Sequence, residues 1–210
     1  MKYVKILGLA AVAAAALMAF VGAGTASATV FCDTNTNPCS AKWAAETQLE
    51  FHVKPGTVGK WGSTAGETLV ECTEGLLKGR PSAGGATATV KMSVAASEFN
   101  WNSGCSGVVT KTLEGGTLEI HAIAGTGNGT VTATGFTFTT SLFGSSCTYG
   151  FLSTTDMGVL TGNGTGNAVL DINTTFSKKE GSIICPTSLS WSEEFTQVAP
   201  SGTGLYVETS

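Results

Sequence analysis

Glu193 and Glu194 are the only adjacent pair of acids in the chain. Two carboxylates hydrolyse a glycosidic bond when they face each other across a cleft, ~5 Å apart in retaining enzymes and ~6.5–9.5 Å in inverting ones. Neighbours along a strand project to opposite faces, so this pair does not supply that geometry by itself. Glu193 nevertheless falls in the apolar phase of its segment, between Trp191 and Phe195. It reads as an inward charge guarding an edge strand or as a slip of register.

The two histidines invite a second reading. His121 follows Glu119 by two residues, and His52 lies between Glu50 and Lys54 in the same spacing. Residues i and i+2 of a strand share a face, so an imidazole and an acid project together in both places. A nucleophile would complete a hydrolytic site, but the chain has no G-x-S-x-G elbow and nothing marks an orienting third group. Both histidines read as members of solvated strand faces, and no catalytic residue is assigned.

Asp33–Asn37, DTNTN, places side-chain oxygens at alternate positions, as a calcium loop does. The calcium pattern also needs a Gly at position 6 and a late Glu. Pro38 and Cys39 stand there instead, and oxygen-bearing side chains are common in any turn. No metal and no cofactor is expected. Asn128, Asn163 and Asn173 begin N-x-[ST] triplets, which arise by composition in Gly/Asn/Thr-rich hairpins.

Tryptophan is the residue type most suggestive of binding. Trp43 and Trp61 fall in segments without strand alternation. An exposed indole on a β domain stacks on sugar faces through apolar contact and a polar handle. Large aromatics are mostly buried, so capping the two ends of a core is the competing reading. These two are the candidate ligand-binding residues.

Six cysteines, Cys32, Cys39, Cys72, Cys105, Cys147 and Cys185, all lie beyond the first 28 residues. An even count in an exported chain implies disulfides, and six cysteines allow fifteen connectivities. Hairpins and meanders bring sequence neighbours together, which favours Cys32–Cys39, Cys72–Cys105 and Cys147–Cys185. Zinc is a poor alternative, because no C-x-x-C occurs and no His stands near a Cys pair.

The elements that hold these residues are strands. The stretch from Cys147 to Val198 organises the chain. Ala168 to Phe176 alternates with Leu170, Ile172 and Phe176 on one face, and a Trp-centred segment, Ser188 to Val198, returns to pair with it. Ala86–Ala96, Leu49–Val53 and Thr117–Ala124 show the same period of two. Between Thr130 and Thr140 the phase slips: Val131 and Ala133 are odd-numbered, Phe136 and Phe138 even. A one-residue slip flips the buried face, which predicts a bulge or sharp bend at Gly135. No amphipathic helix of normal length is readable beyond residue 28. About ten strands at regular spacing predict an all-β fold, a single antiparallel β-sandwich, with a β-barrel as the alternative. Residues 29–46 read as an N-terminal disulfide loop and lead-in, and 47–210 as the β domain.

The first 28 residues give the address. Lys2 and Lys5 precede an apolar run that ends at Ala26-Ser27-Ala28, the pattern of a secretory signal peptide. The run is short for a membrane span, which needs ~20 residues. Without the leader, formal charge falls from −4 to −6, and Arg80 is the only arginine. A nucleic-acid partner needs clustered Lys and Arg and is not expected. No second apolar segment approaches spanning length, so no membrane association is expected after cleavage.

The runs WNSGC, TLEGGTLEIHAIAGTGNGT, FGSSCTYG and LTGNGTGNAVLDINTTFSKKEGSIICPTSLSW resemble a group of small secreted actinobacterial proteins of unknown function. The resemblance covers roughly residues 67–207 and is most specific from Cys147 to Trp191. It implies an exported, disulfide-bearing β domain, and it carries no catalytic residue or cofactor across. The Cys32–Cys39 loop lies outside it. The combined expectation is a non-enzymatic extracellular or cell-wall-associated protein acting through its surface on a wall glycan or another surface protein. A carbohydrate-binding module using an exposed Trp is the first alternative, and a secreted hydrolase the second.

Overall fold

The computed structural model describes residues 28–63, 66–82, 84, 87–100, 104–107, 110–142 and 144–210. The signal peptide read over residues 1–28, Ala28 apart, lies outside the described residues. Among the described residues seventeen strands follow in order. They are β1 (Thr29–Cys32), β2 (Leu49–Val53), β3 (Gly59–Ser63), β4 (Thr68–Cys72), β5 (Leu76–Pro81), β6 (Val90–Val94), β7 (Phe99–Asn100), β8 (Cys105–Gly107) and β9 (Thr110–Glu114). Then come β10 (Gly116–Ile123), β11 (Asn128–Thr134), β12 (Thr137–Leu142), β13 (Ser145–Gly150), β14 (Thr155–Thr161), β15 (Val169–Gly181), β16 (Ser188–Ala199) and β17 (Tyr206–Thr209). Among the described residues there is no α-helix, only one 3-10 turn at Ala96–Glu98. The excess over ten comes partly from pieces of two or three residues, β7 and β8, too short to show a period.

Strands β15 and β16 are the spine. At 13 and 12 residues they are about twice the usual strand length. Each changes partners midway. Val169–Ile172 of β15 pairs with β14, while Ser177–Gly181 pairs with β13. Phe195–Ala199 of β16 pairs with β2, while Leu189–Ser192 pairs with β3. The ring β16-β2-β5-β6-β10-β11-β14-β15 returns to β16 through the β15–β16 ladder and closes an eight-stranded antiparallel barrel. The expected all-β antiparallel class therefore takes the barrel form, not two stacked sheets. Closure removes the free edges that a sandwich would leave on these strands.

Eight strands leave an interior that side chains just fill. Leu49, Phe51, Met92, Leu118, Ile120, Val131, Leu160 and Leu170 fill it here, with Phe31 of β1 pressing in from one end. The remaining void is about 10 Å³, so the barrel is a core and not a ligand cavity. Strands β1 and β17 form a separate ribbon that covers this end. Thr29, buried, fixes it: its hydroxyl donates to the Ala88 carbonyl at 2.7 Å and accepts from the Ala122 N–H at 3.1 Å.

The other halves of β15 and β16 carry a second curl of the same continuous sheet, in which the neighbours run β8-β4-β3-β16-β15-β13-β12-β9. Its core is aromatic. Trp61 on β3 stacks on Trp191 of β16 at 5.0 Å between ring centroids, and meets Phe138 of β12 edge-on at 4.8 Å. Strands β3 and β12 are four places apart in the sheet, ~19 Å if it were flat. Contact between their side chains requires the sheet to curl tightly around this cluster. Phe176, Phe151 and Tyr149 complete the stack.

The phase slip marks the passage between the two bodies. Strand β11 belongs to the barrel and β12 to the second curl, and Gly135 joins them with φ +83°. That backbone region is costly for any residue with a Cβ, so glycine at this corner lets the chain pass from one curl to the other. The three disulfides join Cys32–Cys39, Cys72–Cys105 and Cys147–Cys185, the sequential set. They tie the lead-in loop, the β4–β8 edge and the β13 strand to the turn before β16.

Candidate functional site

Each residue singled out in the sequence has a definite place. Trp61 is 4 % exposed, at the centre of the aromatic core, and unavailable to a sugar. Its strand, GKWGS, carries glycines where apolar residues would reveal alternation, which hid it as a strand. Trp43 is half-buried at the rim of the barrel end covered by the β1–β17 ribbon.

The site around Trp43 is built from both ends of the domain. The Trp43 backbone N–H donates to the Phe31 carbonyl at 2.9 Å, and its indole N–H donates to the Gly204 carbonyl at 3.0 Å. A bridge between Cys32 and Lys42, the Cys32–Cys39 disulfide and an Asp33 N–H bond to Ala41 O at 3.1 Å hold the lead-in against β1. From the opposite side, buried Gln197 donates to the carbonyls of Pro200 and Thr203 at 3.3 and 3.4 Å and fixes the loop before β17. Between them lies a cleft of about 230 Å³ lined by Asp33, Lys42, Trp43, Thr47, Pro200 and Thr203, with Ala41 and Ala44. Asp33 Oδ1 is buried and has no hydrogen-bond partner among the described residues. An oriented indole, an acceptor carboxylate and two hydroxyls around one concavity can hold a polyol face by stacking and hydrogen bonding.

The loop DTNTN gathers its oxygens on itself. The hydroxyls of Thr34, Thr36 and Ser40 lie 2.9–3.2 Å from one another, and Asn37 donates to Thr209 Oγ at 3.1 Å. Among the described residues no three His, Cys, Asp or Glu side chains gather as a metal-binding group.

The histidines sit on outer faces. His121 and Glu119 share the outside of β10, where Glu119 pairs with Lys91 at 3.0 Å. His52 on β2 lies 2.7 Å from Glu50 Oε1, whose other oxygen meets Lys78 Nζ at 2.8 Å. The hydrogen bond from Lys78 holds the Glu50 carboxyl below its ordinary value, with His52 helping and partial burial opposing. Among the described residues the hydrogen-bond partner of His52 is Glu50, and no hydroxyl bonds to its ring.

Glu193 and Glu194 point to opposite faces of β16. Glu194 meets Lys54 Nζ at 2.6 Å outside. Glu193 is 2 % exposed, inside, where β16 passes from β3 to β2. It guards no edge and marks no slip, because β16 is paired on both sides and its register with β15 runs unbroken through Ile172↔Glu193. Its Oε2 accepts from the Trp191 indole at 2.7 Å, while Oε1 has no partner among the described residues. Burial pushes the Glu193 carboxyl up to about 7, against the opposing pull of the Trp191 bond.

No family model, no curated protein and no solved structure matches the chain.

Proposed function

We propose that this chain is an exported, non-catalytic binding protein that takes the face of a sugar in the Trp43 cleft, outside the cell or at its wall. The observation that carries the reading is the indole of Trp43, held by its bond to Gly204 in a cleft that Asp33, Lys42, Thr47 and Thr203 also line. Stacking of an aromatic on the C–H face of a pyranose, with a carboxylate accepting from its hydroxyls, is the usual chemistry of such clefts. Three disulfides are compatible with an extracellular address, and no helix among the described residues is long and apolar enough to cross a membrane. The signal-peptide pattern of residues 1–28 supports export. The non-catalytic part rests on the geometry of the described residues: Glu193 and Glu194 do not face each other, and the hydrogen-bond partner of His52 is Glu50.

The test is a titration of the oxidised protein with soluble wall-derived oligosaccharides, followed at the Trp43 indole N–H resonance, beside co-sedimentation with insoluble wall polysaccharide. A saturable shift with co-sedimentation supports the reading. An unmoved resonance and protein left in the supernatant overturn it.

A further inference from the structure

A second cleft, of about 340 Å³, lies at the end of β2 that carries His52 and Val53. Its described lining is His52, Val53, Thr73, Glu74, Leu76 and Asn100, with Gly75 among them. That described lining contains no Lys or Arg. Its polar groups are rich in acceptors, and Val53 and Leu76 supply apolar walls.

Gly75 separates this cleft from Glu193. A side chain on Gly75 would begin 3.2 Å from Glu193 Oε1, and one on Gly59 would collide with the same carboxyl. Two glycines thus clear a niche for a buried acid, and one of them also lines an open cleft. Oε1 is the oxygen without a partner among the described residues. The charged groups on the flanking elements are otherwise engaged: Lys54 with Glu194, Lys60 with Glu71, and Lys78 with Glu50, which also holds His52. Glu74 remains at the cleft, exposed. Leaving a buried acceptor unmatched costs stability, and ionising it alone costs more. A compact cation within ~4–6 Å reverses that balance, because it favours the charged carboxylate.

We propose that this cleft binds an alkylammonium group, its stem along Val53 and Leu76 and its charge held by Glu74 and, across Gly75, by Glu193. Binding then moves one proton from the Glu193 carboxyl to solvent, so charge balances within the site. The shared chemistry is an amine on an aliphatic stem, whether a free diamine or a lysine side chain of a peptide.

The test uses the full oxidised domain. Cadaverine and an N-acetyl-lysyl-amide peptide are titrated separately, with backbone amide shifts of Gly75 and Leu76 and calorimetry in two buffers of different ionisation enthalpy. The expected result is saturable shifts in at least one arm, with proton release near pH 6.5, and roughly tenfold or greater weakening in Glu193→Gln, the size of one lost charged contact. Response to cadaverine alone assigns a free amine; response to the peptide assigns a polymer-borne lysine. If Glu193→Gln fails to fold, Glu74→Gln, which removes the charge that lines the cleft itself, gives the same comparison of affinity. No shift with either compound at millimolar concentration, or binding without proton release, overturns the proposal.

Discussion

The indole of Trp191 donates to the carboxyl of Glu193, two residues further along the same strand, at 2.7 Å. Residues at this spacing share a face, so a core tryptophan satisfies its N–H on an acid that would otherwise be a foreign element there. The bond covers one carboxyl oxygen only. Desolvation dominates, and the group keeps its proton to about pH 7.

Stability should therefore depend on pH in a particular direction. An unfolded Glu titrates near 4.5 and the folded Glu193 near 7. Between these values the native state holds a proton that the unfolded chain has released, so stability falls as pH rises through the window and is flat above it. The shift corresponds to about 3 kcal/mol across the window. Glu208, also raised by burial, adds the same sign, whereas Glu50, held down by Lys78, loses its contribution only at lower pH. In urea unfolding at pH 5 and pH 8, Glu193→Gln should remove most of the slope and leave the pH 5 stability near wild type. An unchanged slope in that variant would contradict the buried, protonated carboxyl.

Gly135 should resist substitution for a backbone reason alone. A Cβ there meets nothing closer than 3.5 Å, so sterics are not limiting, but φ +83° is left-handed. Gly135→Ala should cost about 1–2 kcal/mol, read from the denaturant midpoint. A neutral result would mean that the β11–β12 corner is free to take another conformation.

The disulfides should rank by the loops they close. Cys147–Cys185 spans 38 residues and Cys32–Cys39 only 7. By loop entropy, the paired serine variants should lose about 4 and about 2.5 kcal/mol respectively. Chemical denaturation of each variant measures this. An equal or reversed order would show that native contacts, and not chain entropy, dominate.

How much of this was legible in the residues depends on where each signal came from. The β15–β16 ladder was readable because Leu170, Ile172 and Phe176 alternate cleanly, and Gly135 because the phase slips around it. Barrel closure was not. It depends on two long strands each changing partners midway, and alternation reports which face is buried but not which neighbour is bonded. Nor could the sequence separate Trp43 from Trp61. Both sit among small and polar residues, and only the curl that brings β3 against β12 encloses one and leaves the other at a rim. Glu193 stood out by phase, yet its reason, a niche opposite Gly59 and Gly75, comes from residues over a hundred positions away.

That difference between the two tryptophans should separate stability from the proposed binding. Trp61 packs against Trp191, Phe138 and Phe176, so Trp61→Ala should cost about 3–5 kcal/mol. Trp43 is half-buried and touches the core from outside, so Trp43→Ala should cost less, on the order of 1–2 kcal/mol of packing and one indole bond. The effects on oligosaccharide binding should run the other way. Trp43→Ala removes the stacking face and should abolish retention on wall polysaccharide while the denaturation curve stays cooperative. Asp33→Asn keeps the platform and weakens only the hydrogen-bonding side, so it should reduce affinity without abolishing it. Thermal denaturation and co-sedimentation on the same preparations decide the matter. If Trp43→Ala binds as wild type, the cleft at the ribbon end is not the sugar site, whatever its shape.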